Sequence, residues 1–391
     1  MILFLIIMEK IVNFIIFFGL MASRVLSSVV CSTKQTQFIS NDGDIYLFGG
    51  YGPSDKEEDI DIPKKLEICF IISIACASRH TVCLDKYGNV FTFGSVDSGQ
   101  LGIAKEPVSF DYTLKPQKVN VPLCKQVSCG ETFTICLTES GDLYSFGYGE
   151  LGLGKITEAL TPQKIESLKD IDFVDCGYNH TICKTLNGEI YAWGNNDYGQ
   201  LGTGNQRSRY EPYLCSDYPD NIVDIKCSFY FTLILTSNKE LLSSGNNYYG
   251  QLGRCTLEEY GVSMELAEEI SNIIRIECGD FHSMCIDVNE DLFVFGANEH
   301  GQLGFNTGGY NETTATKHPS LSNIIDISKG GYHTFAKTSN NEIYAFGNNE
   351  HSQLGATTEN LKQITPIRVF EDKEDIWCSN IKKSKAKSAR K

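Results

Sequence analysis

The chain repeats a short pattern about every 50 residues, and this period limits its fold more than any other feature of the sequence. Each unit contains a strand-like run that ends in an aromatic residue followed by glycine. These steps are Phe48-Gly49, Phe93-Gly94, Phe146-Gly147, Trp193-Gly194, Phe295-Gly296 and Phe346-Gly347, with Ser244-Gly245 as a seventh step that lacks the ring. Self-similarity at such a period is the signature of repeat architectures. Local motifs in register with the repeat are therefore explained first as parts of it.

Each unit has the pattern of four short antiparallel strands. The first strand ends in Cys, as at Cys176, and the second begins four residues later, as at His180. Asn187-Gly188 then separates two alternating runs, which is a strong hairpin signal. The last strand carries a proline, which we expect at its start because proline is tolerated at strand starts and edges. Seven such units predict an all-β fold, a seven-bladed β-propeller.

A second motif, Gly-Gln-Leu-Gly, recurs at 99–102, 199–202, 250–253 and 301–304, and in varied form at 149–152 and 352–355. With the string from His180 to Asn196, these steps resemble the regulator-of-chromosome-condensation repeat family, whose members are also described as alpha-tubulin-suppressor-like repeats. The resemblance covers roughly residues 29–379. It implies a seven-bladed β-propeller of four-stranded antiparallel blades.

Six units are complete, and the remaining blade lacks its first strand. Two segments compete for that place. We expect Ile376–Ser379 to pair beside the N-terminal hairpin, so that N- and C-terminal strands together close the ring and remove exposed sheet edges. The alternative is Val29–Ser32, because its Cys31 also lies four residues before Gln35, the equivalent of the repeat histidine.

The pattern predicts three parts: a hydrophobic leader over 1–28, the propeller over 29–379, and a basic, disordered tail over 380–391. The leader is open to three interpretations: a cleaved signal, a membrane anchor, or an upstream extension that the working protein lacks. Any membrane contact is expected only through residues 1–28. The tail is a solvated end or, alternatively, a nuclear-import or anionic-surface patch.

Most of the fifteen cysteines fall in two registers of the repeat. One register ends the first strand (Cys76, Cys129, Cys176, Cys227, Cys278, Cys378), and the other lies inside the second strand (Cys83, Cys136, Cys183, Cys285). Recurrence at equivalent positions indicates small buried side chains in a reducing compartment and disfavours a disulfide scaffold. We expect a cytoplasmic or nuclear location, with a membrane-associated or secretory one as the alternative if the leader acts as signal or anchor.

The chain is acidic, with a formal net charge of −15. Its basic residues include a C-terminal run from Lys382 to Lys391, so the propeller itself is more acidic still. Because nucleic-acid affinity comes mostly from cations that contact phosphates, this composition disfavours a nucleic-acid partner.

Several motifs resemble nucleotide-binding or metal-binding patterns but fall in register with the repeat. Residues 147–152 fit Gly-x-Gly-x-x-Gly, and 149–155 nearly fit a phosphate-binding loop, but no helix pattern follows and Ile156 stands where Ser or Thr should bind magnesium. Cys-x-x-x-His pairs at 76/80, 176/180 and 278/282 lie one blade apart, so their ligands would not converge on one metal ion. We expect these histidines to be packed and to hold a turn through a hydrogen bond.

No catalytic, cofactor-binding or metal-binding residue is predicted, and no cofactor is expected. Two further histidines, His300 and His351, follow glutamate in loops that we expect to be solvated, although loops on a propeller face are also where partners bind. The residues that bind a partner are not identified by the sequence.

The family resemblance implies two classes of function. The first is a non-catalytic platform that presents two broad faces to other proteins. The second is a guanine-nucleotide exchange factor for a small Ran-like GTPase, as in the founding member, where exchange depends partly on a long β-wedge inserted in one blade. The units here vary in length by only a few residues, and the longest connection, 103–123, carries three prolines and no hairpin pattern. We therefore favour the platform and expect no enzyme activity.

Overall fold

The computed structural model describes residues 26–369, except 41, 53–57, 105–111, 256–257, 268–269 and 357–359. These residues form seven four-stranded antiparallel sheets, and each sheet is built from four consecutive strands. The described part of the chain contains no helix, and so none that is long and apolar enough to cross a membrane. The predicted seven-bladed β-propeller is confirmed.

The strand bounds follow the repeat closely. Blade 1 contains β1 (Leu26–Cys31), β2 (Gln35–Ser40), β3 (Ile45–Tyr51) and β4 (Glu58–Lys65); blade 2 contains β5 (Ile71–Cys76), β6 (His80–Asp85), β7 (Val90–Ser95) and β8 (Tyr112–Lys118). Blade 3 contains β9 (Cys124–Cys129), β10 (Phe133–Thr138), β11 (Leu143–Tyr148) and β12 (Glu158–Lys164); blade 4 contains β13 (Ile171–Cys176), β14 (His180–Thr185), β15 (Ile190–Gly194) and β16 (Arg209–Leu214). Blade 5 contains β17 (Ile222–Cys227), β18 (Phe231–Thr236), β19 (Leu241–Asn246) and β20 (Tyr260–Leu266). Blade 6 contains β21 (Ile273–Cys278), β22 (His282–Asp287), β23 (Leu292–Gly296) and β24 (Glu312–Lys317); blade 7 contains β25 (Ile324–Lys329), β26 (His333–Thr338), β27 (Ile343–Asn348) and β28 (Lys362–Val369).

The first strand of each blade lies at the centre of the ring. Each of these inner strands contacts the inner strands of both neighbouring blades, including β1 against β25, so that the seven together surround a central channel. The fourth strand of each blade pairs only with the third and forms the outer edge of its sheet. Five of the six prolines expected at the start of this strand lie inside it, and Pro319 follows β24. Pro212, for example, lies where the pairing of β16 with β15 shifts register. An edge strand tolerates proline at such a bulge because no ladder hydrogen bond is lost.

The expectation that Ile376–Ser379 opens the split blade is wrong. The strand beside β2 is β1, so the alternative segment fills this place, and 376–379 lies outside the described residues. A short turn links β1 to β2, so this pairing closes a very small loop and has a low entropic cost. The ring is closed by side-to-side packing of blades 7 and 1, where Ser328 Oγ donates to the Val29 carbonyl at 2.6 Å.

The repeated glycines allow neighbouring blades to approach each other. A side chain on Gly102, the last residue of a Gly-Gln-Leu-Gly step, would lie 2.6 Å from the Phe146 ring of the next blade. A side chain on Gly152 would likewise lie 2.8 Å from the Trp193 ring of the next blade.

Blade 5 lacks the aromatic residue because Ser244 replaces it. There Tyr218, from the loop between blades 4 and 5, is buried beside Gly202 and donates to the Leu201 carbonyl at 2.9 Å.

A hydrogen-bond relay joins most neighbouring blades. His180 of blade 4 contacts Thr232 Oγ1 of blade 5 at 3.0 Å, and Thr232 donates to the Gln200 carbonyl of blade 4 at 2.8 Å. Because the hydroxyl has one proton, His180 Nε2 must be the donor. The same relay recurs in three other blade pairs: His80 with Thr134, His282 with Thr334, and His333 with Thr36 across the closure of the ring. The histidines are packed, as predicted, but their hydrogen bonds connect blades, whereas we expected them to hold turns.

The relay predicts a cost for removing one hydroxyl. We expect Thr232→Val to lower the free energy of unfolding by about 2–3 kcal/mol, because it leaves the buried His180 N–H without its acceptor and removes a donor from the Gln200 carbonyl. Urea denaturation measures this loss. Thr157→Val, at an exposed threonine, is the matched control and should change stability little. Equal stability of the two variants would contradict the role of the relay.

The relay also predicts sensitivity to acid. Burial lowers the pKa of His282 to about 3, whereas a histidine in the unfolded chain titrates near 6.5. Because the pKa is depressed in the folded state, the contribution of neutral His282 to stability is complete above about pH 6.5. This contribution is lost as the pH falls toward 3. His282→Phe copies the residue found in blades 3 and 5 and removes this titration. Between pH 6 and 4 the wild-type chain should lose about 1.4 kcal/mol per pH unit relative to the variant. Parallel pH profiles in urea denaturation would contradict this.

Candidate functional site

Two loops of every blade reach the same face of the ring. One joins the first and second strands, and the other joins the third and fourth strands and, in blades 2–7, contains the Gly-Gln-Leu-Gly step or its variant. The antiparallel order of the strands forces both loops to this face, which we call the aromatic face. The other two connections of each blade lie on the opposite face.

Nine rings form a continuous network on the aromatic face, which we call the aromatic arc. Each ring lies within 3.8–6.0 Å of another, measured between centroids. The members are Tyr178, Tyr198, Phe229, Tyr230, Tyr248, Tyr249, Phe281, His300 and Tyr332, all in blades 4–7. They are half-buried or exposed, and Tyr248 is 66% exposed. Several large rings are thus held together at a surface.

The arc arises at positions that vary between repeats. At least one of the two residues that lie two and three places after the last inner-strand residue is aromatic in each of blades 4–7, and in blade 5 both are, Phe229 and Tyr230 after Cys227. The equivalent residues of blades 1–3 are polar or charged, for example Arg79 and Glu131. The face is therefore asymmetric although the scaffold is regular.

The mouth of the central channel lies beside the arc and forms a cavity of about 70 Å³. Asp280 and Glu131 line it, and Thr33 Oγ1 donates to Asp280 Oδ2 at 3.3 Å. Burial raises the pKa of Asp280 to about 6, and Glu131 adds to this rise while Lys329 opposes it. Burial likewise raises the pKa of Glu131. Carboxyl groups that are buried at a cost to stability are typical of functional sites.

Lys329 occupies the register in which blades 2–6 carry a cysteine. Its Nζ donates to the Cys227 carbonyl at 3.1 Å, and the negative charges of Asp175 and Glu277 raise its pKa although burial alone would lower it. Asp175 in turn accepts a hydrogen bond from the Cys227 amide at 2.7 Å. The lysine is held as a cation inside the channel by acids from the inner strands of blades 4 and 6.

A larger cavity, of about 410 Å³, lies between the loops of blades 4 and 5 and is called here the tyrosine pocket. Six of its lining residues are aromatic, two are acidic and two are amides. They are Tyr198, Tyr230, Tyr248, Tyr249, Tyr260, Phe281, Asp197, Glu259, Gln206 and Asn246. Ligand pockets have volumes of roughly 300–1,000 Å³, so this cavity is large enough to hold part of a partner.

The structure places the motifs singled out in the sequence inside the scaffold. Both cysteine registers are buried in the described residues, apart from Cys76, which is half-buried; Cys378 lies outside those residues. Burial raises the pKa of these thiols, as for Cys176, where it reaches about 12. Thirteen cysteines in the described part of the chain are free thiols. Residues 147–152 span the end of β11 and the start of the loop that leads to β12. Within the described residues, no three histidine, cysteine or carboxylate side chains converge as metal ligands do.

The expectation of solvated loops at His300 and His351 is wrong. His300 is half-buried, packs on Tyr332 at 4.8 Å and so belongs to the arc. His351 Nδ1 lies 2.9 Å from Asp59 Oδ1, across the junction of blades 7 and 1. Sequence reasoning missed the arc itself. Its one signal was the change to aromatic residues after the inner strands of blades 4–7.

The Asp280 carboxyl tests whether an ionised carboxylate at the channel mouth lowers the free energy of unfolding. Its folded pKa lies above the usual value of 3.8, so its destabilising effect is absent below about pH 4 and grows as the pH rises through about 6. Asp280→Asn should therefore raise the free energy of unfolding by about 1–2 kcal/mol at pH 8 and have little effect at pH 4. Urea denaturation at both values checks this, and a variant less stable than wild type at pH 8 would contradict it.

Comparison with known proteins supports the repeat. The model of the regulator of chromosome condensation (RCC1) repeat matches residues 87–137, 140–183, 187–235, 240–286 and 289–336. The chain is 30% identical over 333 residues to the ultraviolet-B receptor UVR8 of Arabidopsis thaliana, covering 81% of this chain and 75% of the receptor. It is 30% identical to the mouse serine/threonine-protein kinase Nek9, covering 85% of this chain but only 36% of the kinase.

A solved structure agrees in fold. Prp20p of Saccharomyces cerevisiae, studied for its binding to Gsp1p and histones, superposes with a TM-score of 0.73 at 21% identity. The match covers 86% of this chain and 88% of Prp20p. At this identity the likeness establishes the propeller and nothing further.

Proposed function

The chain belongs to the regulator-of-chromosome-condensation repeat family, and we propose that it is a non-catalytic platform that binds a protein partner on its aromatic face. The observation that carries the proposal is the aromatic arc, nine connected rings held at a surface. Tyrosine and other aromatic residues are enriched at the centres of protein interfaces.

The scaffold fixes the arc before a partner arrives. Tyr178 stacks on Phe229 at 3.8 Å, and Phe229 lies 5.4 Å from Phe281 in the next blade. Each ring therefore loses little freedom on binding, which lowers the entropic cost of association. The fold contributes no comparable set of rings on the opposite face, where Phe70 and Tyr87 form an isolated pair in the described residues.

The charge of the face selects the kind of partner. Acidic side chains lie among the rings, including Glu131 and Asp280 at the channel mouth and Asp197 at the tyrosine pocket. The whole chain carries a net charge of −15. A partner with a basic surface would approach faster and bind in a defined orientation.

Exchange of guanine nucleotide on a small Ran-like GTPase is the second candidate, because Prp20p was studied for binding to Gsp1p. Each blade has four strands, and the described residues contain no additional hairpin. A nucleotide-release assay with a purified small GTPase separates the two functions. We expect no acceleration, and acceleration at catalytic concentrations would favour the exchange factor.

A photo-cross-linking residue tests the platform. We expect p-benzoylphenylalanine in place of Tyr332, on the arc, to give protein adducts in native cells, whereas the same residue in place of Tyr87, which is 57% exposed on the opposite face, does not. The physical reason is that binding brings the partner within bonding distance of the arc only.

Competition shows whether such an adduct is specific. Excess wild-type chain and the control variant Tyr310→Ala, at a ring that is 76% exposed outside the arc, should suppress the adduct at 332. The double variant His300→Ala/Tyr332→Ala should suppress it at least about fivefold less well, as loss of two aromatic contacts implies. Equal competition by all three, or equal labelling at 332 and 87, would contradict docking on the aromatic face.

A further inference from the structure

We propose that the tyrosine pocket binds a lysine or arginine side chain presented by a segment of the protein partner. The inference rests on the proposed function and names the chemistry of one part of that surface. It is carried by the lining of the pocket, in which six aromatic side chains are combined with two carboxylates and with no basic residue among the described ones.

The rings provide one half of the recognition. A cation over the face of a tyrosine ring is attracted by its electron density, and this attraction strengthens as water is excluded. Tyr198 and Tyr230 lie 5.1 Å apart on one wall, and Tyr248 and Tyr249 lie 5.1 Å apart on another. A flat guanidinium group or an ammonium group can be placed against either pair.

The carboxylates provide the other half. Asp197 and Glu259 are exposed side chains at the rim, from the loops of blades 4 and 5. The Asp197 charge also acts beyond the rim: besides burial, it raises the pKa of Glu150 in the neighbouring blade. Arg254, a cation of blade 5, is already engaged by Glu265 at 2.8 Å. An incoming cation would supply the missing charge, whereas phosphates of a nucleic acid or a membrane would be repelled.

The repeat scaffold holds these walls in place. Gln200 Oε1 accepts from the Tyr198 amide at 3.1 Å, and Gln251 Oε1 accepts from the Tyr249 amide at 2.9 Å. Both glutamines belong to Gly-Gln-Leu-Gly steps and are buried. The aromatic walls are thus fixed by the most regular part of the fold, and the pocket is formed without a ligand.

The test uses the full chain and two labelled peptides. The first alternates arginine and glycine over eight residues, and the second has citrulline in place of arginine, which keeps the shape and removes the charge. Fluorescence anisotropy measures binding at low and at high salt. We expect the arginine peptide to bind at least about tenfold more tightly than the citrulline peptide at low salt, and to weaken at high salt as screening requires.

Matched variants locate the site. Asp197→Asn/Glu259→Gln should weaken binding of the arginine peptide by about fivefold or more, and Tyr248→Ala by about threefold. Asp220→Asn/Glu166→Gln makes the same change in net charge on the opposite face and should alter binding less than about twofold, as should Tyr310→Ala.

Four results would overturn the assignment. They are failure of the arginine peptide to bind, equal binding of the citrulline peptide, equal losses in the pocket and opposite-face variants, or an increase in affinity on deletion of the chain's own basic residues 380–391. The last would make that tail the occupant in place of a partner. If the peptide fails while the adduct at 332 persists, only the pocket assignment falls and the platform stands.

Discussion

The contact between neighbouring blades is the interaction on which the rest of the structure depends. Each blade is a small sheet that cannot bury its own faces, so stability comes from the side-to-side packing of seven similar units. The buried histidine–threonine–carbonyl relay, as in His180, Thr232 and Gln200, fixes how each of these blades is aligned against the next. It also closes the ring between His333 and Thr36 without exchange of strands, since the last junction is built like the others.

This regular scaffold explains why the residues of a binding face can vary while the fold is kept. The buried positions of the repeat carry the packing, and the residues that follow the inner strands do not. Tyr178, Phe229 and Asp280 occupy equivalent places in three successive blades, yet two are stacked rings and one is a buried carboxyl group. The repeat thus separates stability from recognition: one is shared by all blades and the other differs from blade to blade.

Much of the fold could be predicted from the sequence, and particular residues show where prediction ends. The aromatic–glycine steps and the strand alternation indicated seven blades because both depend on local geometry and burial. The choice between Val29–Ser32 and Ile376–Ser379 went wrong because both match the repeat, and only a three-dimensional structure shows which one lies beside β2. His300 and His351 were misjudged for a similar reason, since their neighbours come from other blades.

The sequence alone determined the family, the number of blades and the structural role of the glycines, thiols and repeat histidines. These properties recur at a fixed spacing, so each copy supports the interpretation of the others. The tertiary structure decided how the ring closes, which neighbour each histidine bonds, and where a partner has room to bind. The aromatic arc joins residues from blades 4–7, and such a surface forms only when the loops of several blades are brought to one face. No single repeat contains that information, because the contacts that define the site run between repeats.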